Sequence, residues 1–123
     1  GEFLRVGGDL SQGRTAAATE FAHQSGAVVV LKGPGTVVAG PDGRCRVNTT
    51  GNCGMAKGGS GDVLSGVVLA LLGLGMDAFD ACCCAVWLHG RAGDLAAQEK
   101  GQWGMTPTDL LERLPQALRE VTE

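Results

Sequence analysis

Gly58-Gly59-Ser60-Gly61-Asp62-Val63-Leu64 decides how the rest of the chain is read. A glycine-rich loop that runs straight into an apolar helical pattern leaves backbone N–H groups unpaired at the positive end of a helix dipole. That arrangement receives a phosphate or a developing oxyanion. An aspartate at the helix start reaches a hydroxyl attacking a phosphoryl group held there, and so reads as a general base. A second reading makes Asp62 only the N-cap of the helix. The segment alone does not choose between them. Neither GxxxxGK[ST] nor GxGxxG is present among these glycines, so the standard phosphate and dinucleotide patterns do not apply.

Upstream, residues 14–25 pattern as a helix with Ala17, Ala18, Phe21 and Ala22 on one side and Gly26 as its stop. Residues 27–31 are rich in valine and predict a short strand buried on both faces. Lys32-Gly33-Pro34-Gly35-Thr36 breaks that strand at its carboxyl end, where ligands of open α/β sheets bind and where an ammonium could meet a phosphate. Taken alone, the segment reads better as a turn with a solvated lysine. Residues 36–39 resume strand pattern, Pro41-Asp42-Gly43 is a turn, and residues 44–48 return.

Downstream, the thirteen-residue loop 49–61 is longer than compact domains tolerate without a function. The nearly uncharged run 63–76 is too short for a bilayer and predicts a buried core helix beginning at Asp62. A second helix spans about residues 77–99, with Asp77 as N-cap and Gly101 as stop. Thr106-Pro107-Thr108-Asp109 caps a last helix, which Pro115 is expected to restart. His89 reads as a packed histidine with a satisfied ring nitrogen, flanked by Trp87 and Leu88, rather than as a catalytic acid or base.

Composition narrows the class. Glycine makes up 21 of 123 residues, well above the usual ~7%, without a triplet period. The net charge of −3 and 4% aromatic content argue against a nucleic-acid module. No basic stretch followed by an apolar one opens the sequence, so neither a signal peptide nor a membrane span is expected. The five cysteines, three of them consecutive at Cys82-Cys83-Cys84, read as small, buried, reduced residues of a cytoplasmic protein.

Taken together, Val30-Leu31-Lys32-Gly33 to Thr36, Pro41-Asp42-Gly43-Arg44 and the block from Gly51-Asn52-Cys53-Gly54-Met55 through Gly58-Gly59-Ser60-Gly61-Asp62 to Gly66 resemble the ADP/ATP-dependent NAD(P)H-hydrate dehydratases. Ala85-Val86-Trp87-Leu88-His89-Gly90, Ala92-Gly93-Asp94-Leu95 and Thr108-Asp109-Leu110-Leu111 extend the resemblance in order along nearly the whole chain. Cys53 stands where that family has proline, and Lys57 where it has a small polar residue.

The resemblance implies an α/β, ribokinase-like fold with a mostly parallel sheet flanked by helices, of which residues 1–123 form the C-terminal part. It implies a lyase that returns the S-epimer of hydrated NADH or NADPH (NADHX, NADPHX) to the intact cofactor. ADP or ATP, with Mg²⁺, turns the ring hydroxyl into a leaving group. Asp62 is then the base and contacts the hydrated nicotinamide. Gly59, Ser60 and Gly61 form the anion hole, while Lys32, Gly33, Pro34, Gly35, Thr36 and Gly61 bind the nucleotide. Glu2 is the metal-site candidate. A homo-oligomer is expected, and so is an N-terminal half upstream of residue 1 that completes the site. A small-alcohol kinase of the hydroxyethylthiazole kinase type and a catalytically incomplete nucleotide-binding fragment are the alternatives.

Overall fold

A computed structural model of the chain describes residues 12–33, 35–55 and 59–122. The order is α1 (Gln12–Ser25), β1 (Val29–Leu31), β2 (Val37–Ala39), β3 (Cys45–Val47), a 3₁₀ turn at Cys53–Met55, α2 (Ser60–Gly73), α3 (Ala78–Lys100) and α4 (Pro107–Thr122).

The three strands form one sheet in the order β1-β2-β3, antiparallel throughout, with Val30 opposite Val38 and Val38 opposite Arg46. The α/β expectation stands, while the three described strands pair antiparallel rather than parallel. The reason is length: the connections at 32–36 and 40–44 are hairpin-sized, whereas a parallel pair needs a crossover of about a dozen residues or more. In the second hairpin Gly43 takes a positive φ of 96°, which a glycine adopts without strain. Arg44 bonds Asp42 at 2.8 Å and Asp77 at 3.1 Å, and its guanidinium lies 4.5 Å over the Phe79 ring. The hairpin is thereby tied to the start of α3.

Strand β2 is buried on both faces and organises three layers. Val37 and Ala39 pack against Ala18 and Ala22 of α1, whose small side chains let the helix lie close. Val38 points the other way, into Leu64, Phe79, Cys83 and Val86 of α2 and α3. Residues 27–31 were expected to be buried on both faces, yet β1 is only partly covered because it is an edge of the described sheet. Phe21 of α1, grouped above with the buried alanines, is exposed.

Helix α3 is the centre of the α-rich half. Asp77 caps it by accepting the Asp80 N–H, and Gly101 ends it. Leu88, Ala92, Leu95 and Ala96 pack on Met105, Leu110 and Ala117 of α4 and the turn before it. Thr106 and Asp109 close a capping box: Thr106 Oγ1 accepts the Asp109 N–H, and Asp109 accepts the Thr106 N–H at 2.8 Å. Pro115 does not restart a helix. It sits inside one continuous α4, where the carbonyl its ring deprives of an N–H belongs to the exposed Leu111.

The expected core helix is likewise corrected. Helix α2 leans on α3 through Leu64, Val67 and Leu71. Its other side leaves Leu69 and Leu72 at 69% and 40% exposure, and Leu74, which caps its end, is 80% exposed, with no described element over them. Of the cysteines, Cys83 is buried and Cys82 and Cys84 half-buried, their thiols pushed up by desolvation. Cys45 is exposed on the edge strand β3, against expectation.

Glycines at two helical positions separate the competing effects of propensity and packing. Exchanging an exposed helical glycine for alanine gains about 0.8–1 kcal/mol. At Gly66 a Cβ meets nothing within 4 Å, so Gly66→Ala is expected to stabilise by roughly that amount. At Gly90 a Cβ would lie 2.7 Å from the Thr50 carbonyl carbon and 2.8 Å from its Cβ. Overpacking of ~1–3 kcal/mol outweighs the helical gain, so Gly90→Ala is expected to destabilise. Urea denaturation of both variants checks the opposite signs.

Candidate functional site

Helix α2 begins two residues earlier than Asp62. Gly59 is its N-cap, with φ 95° and no capping side chain, and the first helical bond runs from the Val63 N–H to the Gly59 carbonyl. By helix geometry the N–H groups of Ser60, Gly61 and Asp62 have no intrahelical acceptor and point out of the N-terminus. Asp62 is therefore exposed in the first turn and is not the cap. The N-cap reading of this residue is removed.

Lys32 reaches the same turn. Its Nζ lies 2.8 Å from where a Cβ on Gly61 would stand, so the ammonium occupies space that only a glycine leaves there. Its backbone is held by Arg14 of α1, whose Nη2 donates to the carbonyls of Leu31 at 3.1 Å and Lys32 at 3.3 Å. Thr36 Oγ1 closes the turn by donating to the Gly33 carbonyl, and the Asn48 N–H donates to the Thr36 carbonyl. The KGPGT turn and the GGSGD loop, far apart in sequence, thus converge through Lys32 and Gly61.

The chain leading into the GGSGD loop is seated on α3. Asn48 Nδ2 donates to the Val86 carbonyl and Thr50 Oγ1 to the Trp87 carbonyl, at 3.2 and 3.0 Å. Asp94 accepts the Gly51 N–H and the Asn52 side-chain amide, both at 3.0 Å. Gly90 and Gly93 leave the room: a Cβ at either would overlap Thr50 or the Met55 side chain. Asn52 in turn accepts the Gly54 N–H on its side-chain oxygen and the Met55 N–H on its carbonyl. The 3₁₀ turn forms this way with cysteine where the family has proline.

His89 joins α3 to α2. Its Nε2 lies 2.9 Å from the Ser60 carbonyl oxygen and 3.2 Å from Ser60 Oγ, and both residues are buried. A carbonyl only accepts, so Nε2 carries the hydrogen. Burial, with the Lys32 charge nearby, holds this imidazole below its ordinary range, against the opposing bond to Ser60. The expectation of a packed, satisfied histidine holds. Pro107, opening α4, braces the other side of the turn, 3.3 Å from a Cβ placed on Gly59.

Lys32, Ser60 and Gly61 are thus brought together, with Gly59 and Asp62 beside them in the same turn. Gly33, Gly35 and Thr36 form the adjoining turn. Glu2, Pro34 and Lys57 lie outside the described residues. Among the described residues no three His, Cys, Asp or Glu side chains converge as a metal site. A cavity of about 480 Å³ between β3 and α3 is lined by residues that include Val47, Phe79, Cys83 and Trp87, and by none of the expected site residues. Arg14 and Asp94 had not been singled out as site residues. Nothing local marks Arg14, whereas the paired glycines on α3 just before Asp94 could have suggested a close approach.

A family described as NAD(P)H-hydrate dehydratase matches residues 1–116. A bifunctional NAD(P)H-hydrate repair enzyme of Thermofilum pendens is 48% identical over 127 aligned residues, covering all of this chain and 24% of that protein. The ADP-dependent (S)-NAD(P)H-hydrate dehydratase of Bacillus subtilis is 41% identical across 94% of this chain and 43% of its own length. A crystal structure of the B. subtilis ADP/ATP-dependent dehydratase, co-crystallised with ATP/Mg²⁺, superposes with a TM-score of 0.85 at 39% identity, covering 97% of this chain and 44% of that one. The chain therefore spans between about a quarter and under half of the relatives it matches. No helix among the described residues is long and apolar enough to cross a membrane.

The His89 environment sets a pH dependence of stability. Its pKa is lowered in the folded chain from 6.5, so below about pH 6.5 the unfolded state takes up a proton before the native state does. Stability contributed by the neutral ring is thus present above pH 6.5 and lost as pH falls below it. His89→Gln is expected to flatten the unfolding free energy between pH 7 and 5.5, as checked by denaturant titration at each pH.

Proposed function

The chain belongs to the NAD(P)H-hydrate dehydratase family, and on that premise we propose that it carries the phosphoryl-transfer site of an ADP- or ATP-dependent dehydratase acting on the S-epimer of hydrated NADH or NADPH. The observation that supports this best is the meeting of the Lys32 ammonium with Gly61 in the first turn of α2. It puts a cation beside a row of outward N–H groups, as a transferring phosphoryl group requires.

In this reading the nucleotide lies along the 32–36 turn, with Lys32 on its phosphates and the N–H groups of Gly59, Ser60 and Gly61 around the transferred group. Asp62 takes the proton of the ring hydroxyl as that oxygen bonds phosphorus and the bond to the nucleotide breaks. The phosphate then leaves with the electrons of the ring C–O bond, a proton leaves the neighbouring carbon, and the ring double bond returns. Mg²⁺ fits as a companion of the nucleotide, since it takes most of its oxygens from phosphates and water and few from protein. When bound it neutralises phosphate charge.

Chain outside these 123 residues completes the substrate pocket in this reading, in keeping with the partial coverage of every relative named above. The exposed leucines of α2 support an assembly that covers them, in line with the expected homo-oligomer. Thiols at Cys82, Cys83 and Cys84 suit the cytoplasm.

Asp62→Asn in the intact protein is expected to keep nucleotide affinity and lose about 10²- to 10⁴-fold in turnover. Unchanged recovery of NADH from its hydrate would remove Asp62 from the chemistry. Lys32→Ala is expected to weaken ADP binding while leaving the melting temperature nearly unchanged, because an exposed lysine adds little to folding and a charge-assisted phosphate contact adds much to binding. Titration calorimetry with ADP measures it.

A further inference from the structure

Most helices close their first turn with a capping side chain, worth about 1 kcal/mol. Helix α2 has none: its cap is Gly59, in a left-handed conformation. Yet this is the turn that must hold three N–H groups in fixed directions. The buried Nε2–H of His89, donated from α3 to the Ser60 carbonyl at 2.9 Å, is the one side-chain bond described on its backbone.

We propose that His89 is a positioning residue of the phosphate site, which aims the Gly61 N–H by anchoring the Ser60 carbonyl. The carbonyl of Ser60 and the N–H of Gly61 belong to one planar trans peptide and point in opposite directions. Holding the first toward α3 directs the second away from it, at the residue whose open Cβ position the Lys32 ammonium fills. The Nε2–H hydrogen is committed to that carbonyl, so the Ser60 hydroxyl, 3.2 Å from the same nitrogen, keeps its own hydrogen for another acceptor. A neutral ring serves this better than a cation, since Lys32 already supplies the positive charge. His89 touches neither nucleotide nor hydrated cofactor in this arrangement. It acts only through the peptide.

The inference rests on the phosphate-site reading of Gly59 to Gly61, and the test separates the two. In the intact protein, long-range nitrogen NMR reads the His89 tautomer, and inorganic pyrophosphate and ADP are titrated while the Gly61 amide is followed. His89→Leu removes the donor, and His89→Gln keeps an N–H near the Nε2 position. We expect a protonated Nε2 in the wild type. The leucine variant should lose on the order of tenfold in pyrophosphate and ADP affinity and in kcat, with the KM for hydrated cofactor unmoved. The glutamine variant should recover most of that loss. An unprotonated Nε2, wild-type pyrophosphate affinity in a folded leucine variant, or a glutamine variant as weak as leucine each overturns the proposal. If the leucine variant does not fold, the tautomer and the glutamine affinity decide. A wild type that binds pyrophosphate at Gly61 but restores no NADH sinks the reaction and leaves His89 standing.

Discussion

Loop 48–55 can lie against α3 only because two carbonyls of that helix accept twice. Val86 and Trp87 already receive the N–H groups four residues on, and a carbonyl oxygen has a second lone pair. Asn48 and Thr50 use those second pairs, and they reach them because Gly90 presents no side chain. Asp94 then ends the contact by taking the Gly51 N–H. With Asn52 also bonded to Asp94, the loop is held against α3 at Asn48, Thr50, Gly51 and Asn52. The orientation of α2, and with it the N–H row, is held by its packing on α3 and by the His89 bond to Ser60.

Charge is arranged in the same economical way. The N-terminus of α2 carries roughly half a positive charge, and Lys32 adds a full one beside it. Two positive sources this close repel, and among the described residues no acidic side chain is buried; the first-turn aspartate is exposed. Burial keeps His89 from becoming a third. In the proposed reading, the phosphates of the nucleotide meet that positive charge.

What could be read from the sequence divides along physical lines. Asp77, Gly101 and the Thr106–Asp109 box were legible because a cap is a local event, settled within four residues. The glycine loop was legible because backbone freedom concentrated in one place has few uses. Arg14 was not, because its partners are carbonyls 17 and 18 positions away and a carbonyl has no residue identity. The apolar run of α2 announced burial but not by what, and only one of its sides is met by α3. Pro115 misled for a similar reason: its cost depends on whether the orphaned carbonyl faces water, a fact of tertiary placement. Asp62 stood between two roles until the helix start was known, and a shift of two residues settled that it is no cap.

From Val86 to Asp94 helix α3 acts as a ruler. Its carbonyls, its imidazole, its two bare positions and its carboxylate each meet a different group, and each meeting depends on the rotation of 100° per residue. Inserting or deleting one residue there would turn every later contact away from its partner at once. The turns at 41–43 and 101–104 lie outside this stretch and can change length without rotating it. Natural variation in chain length should accordingly gather in those turns and be absent from this stretch of helix, even where the amino acids themselves drift.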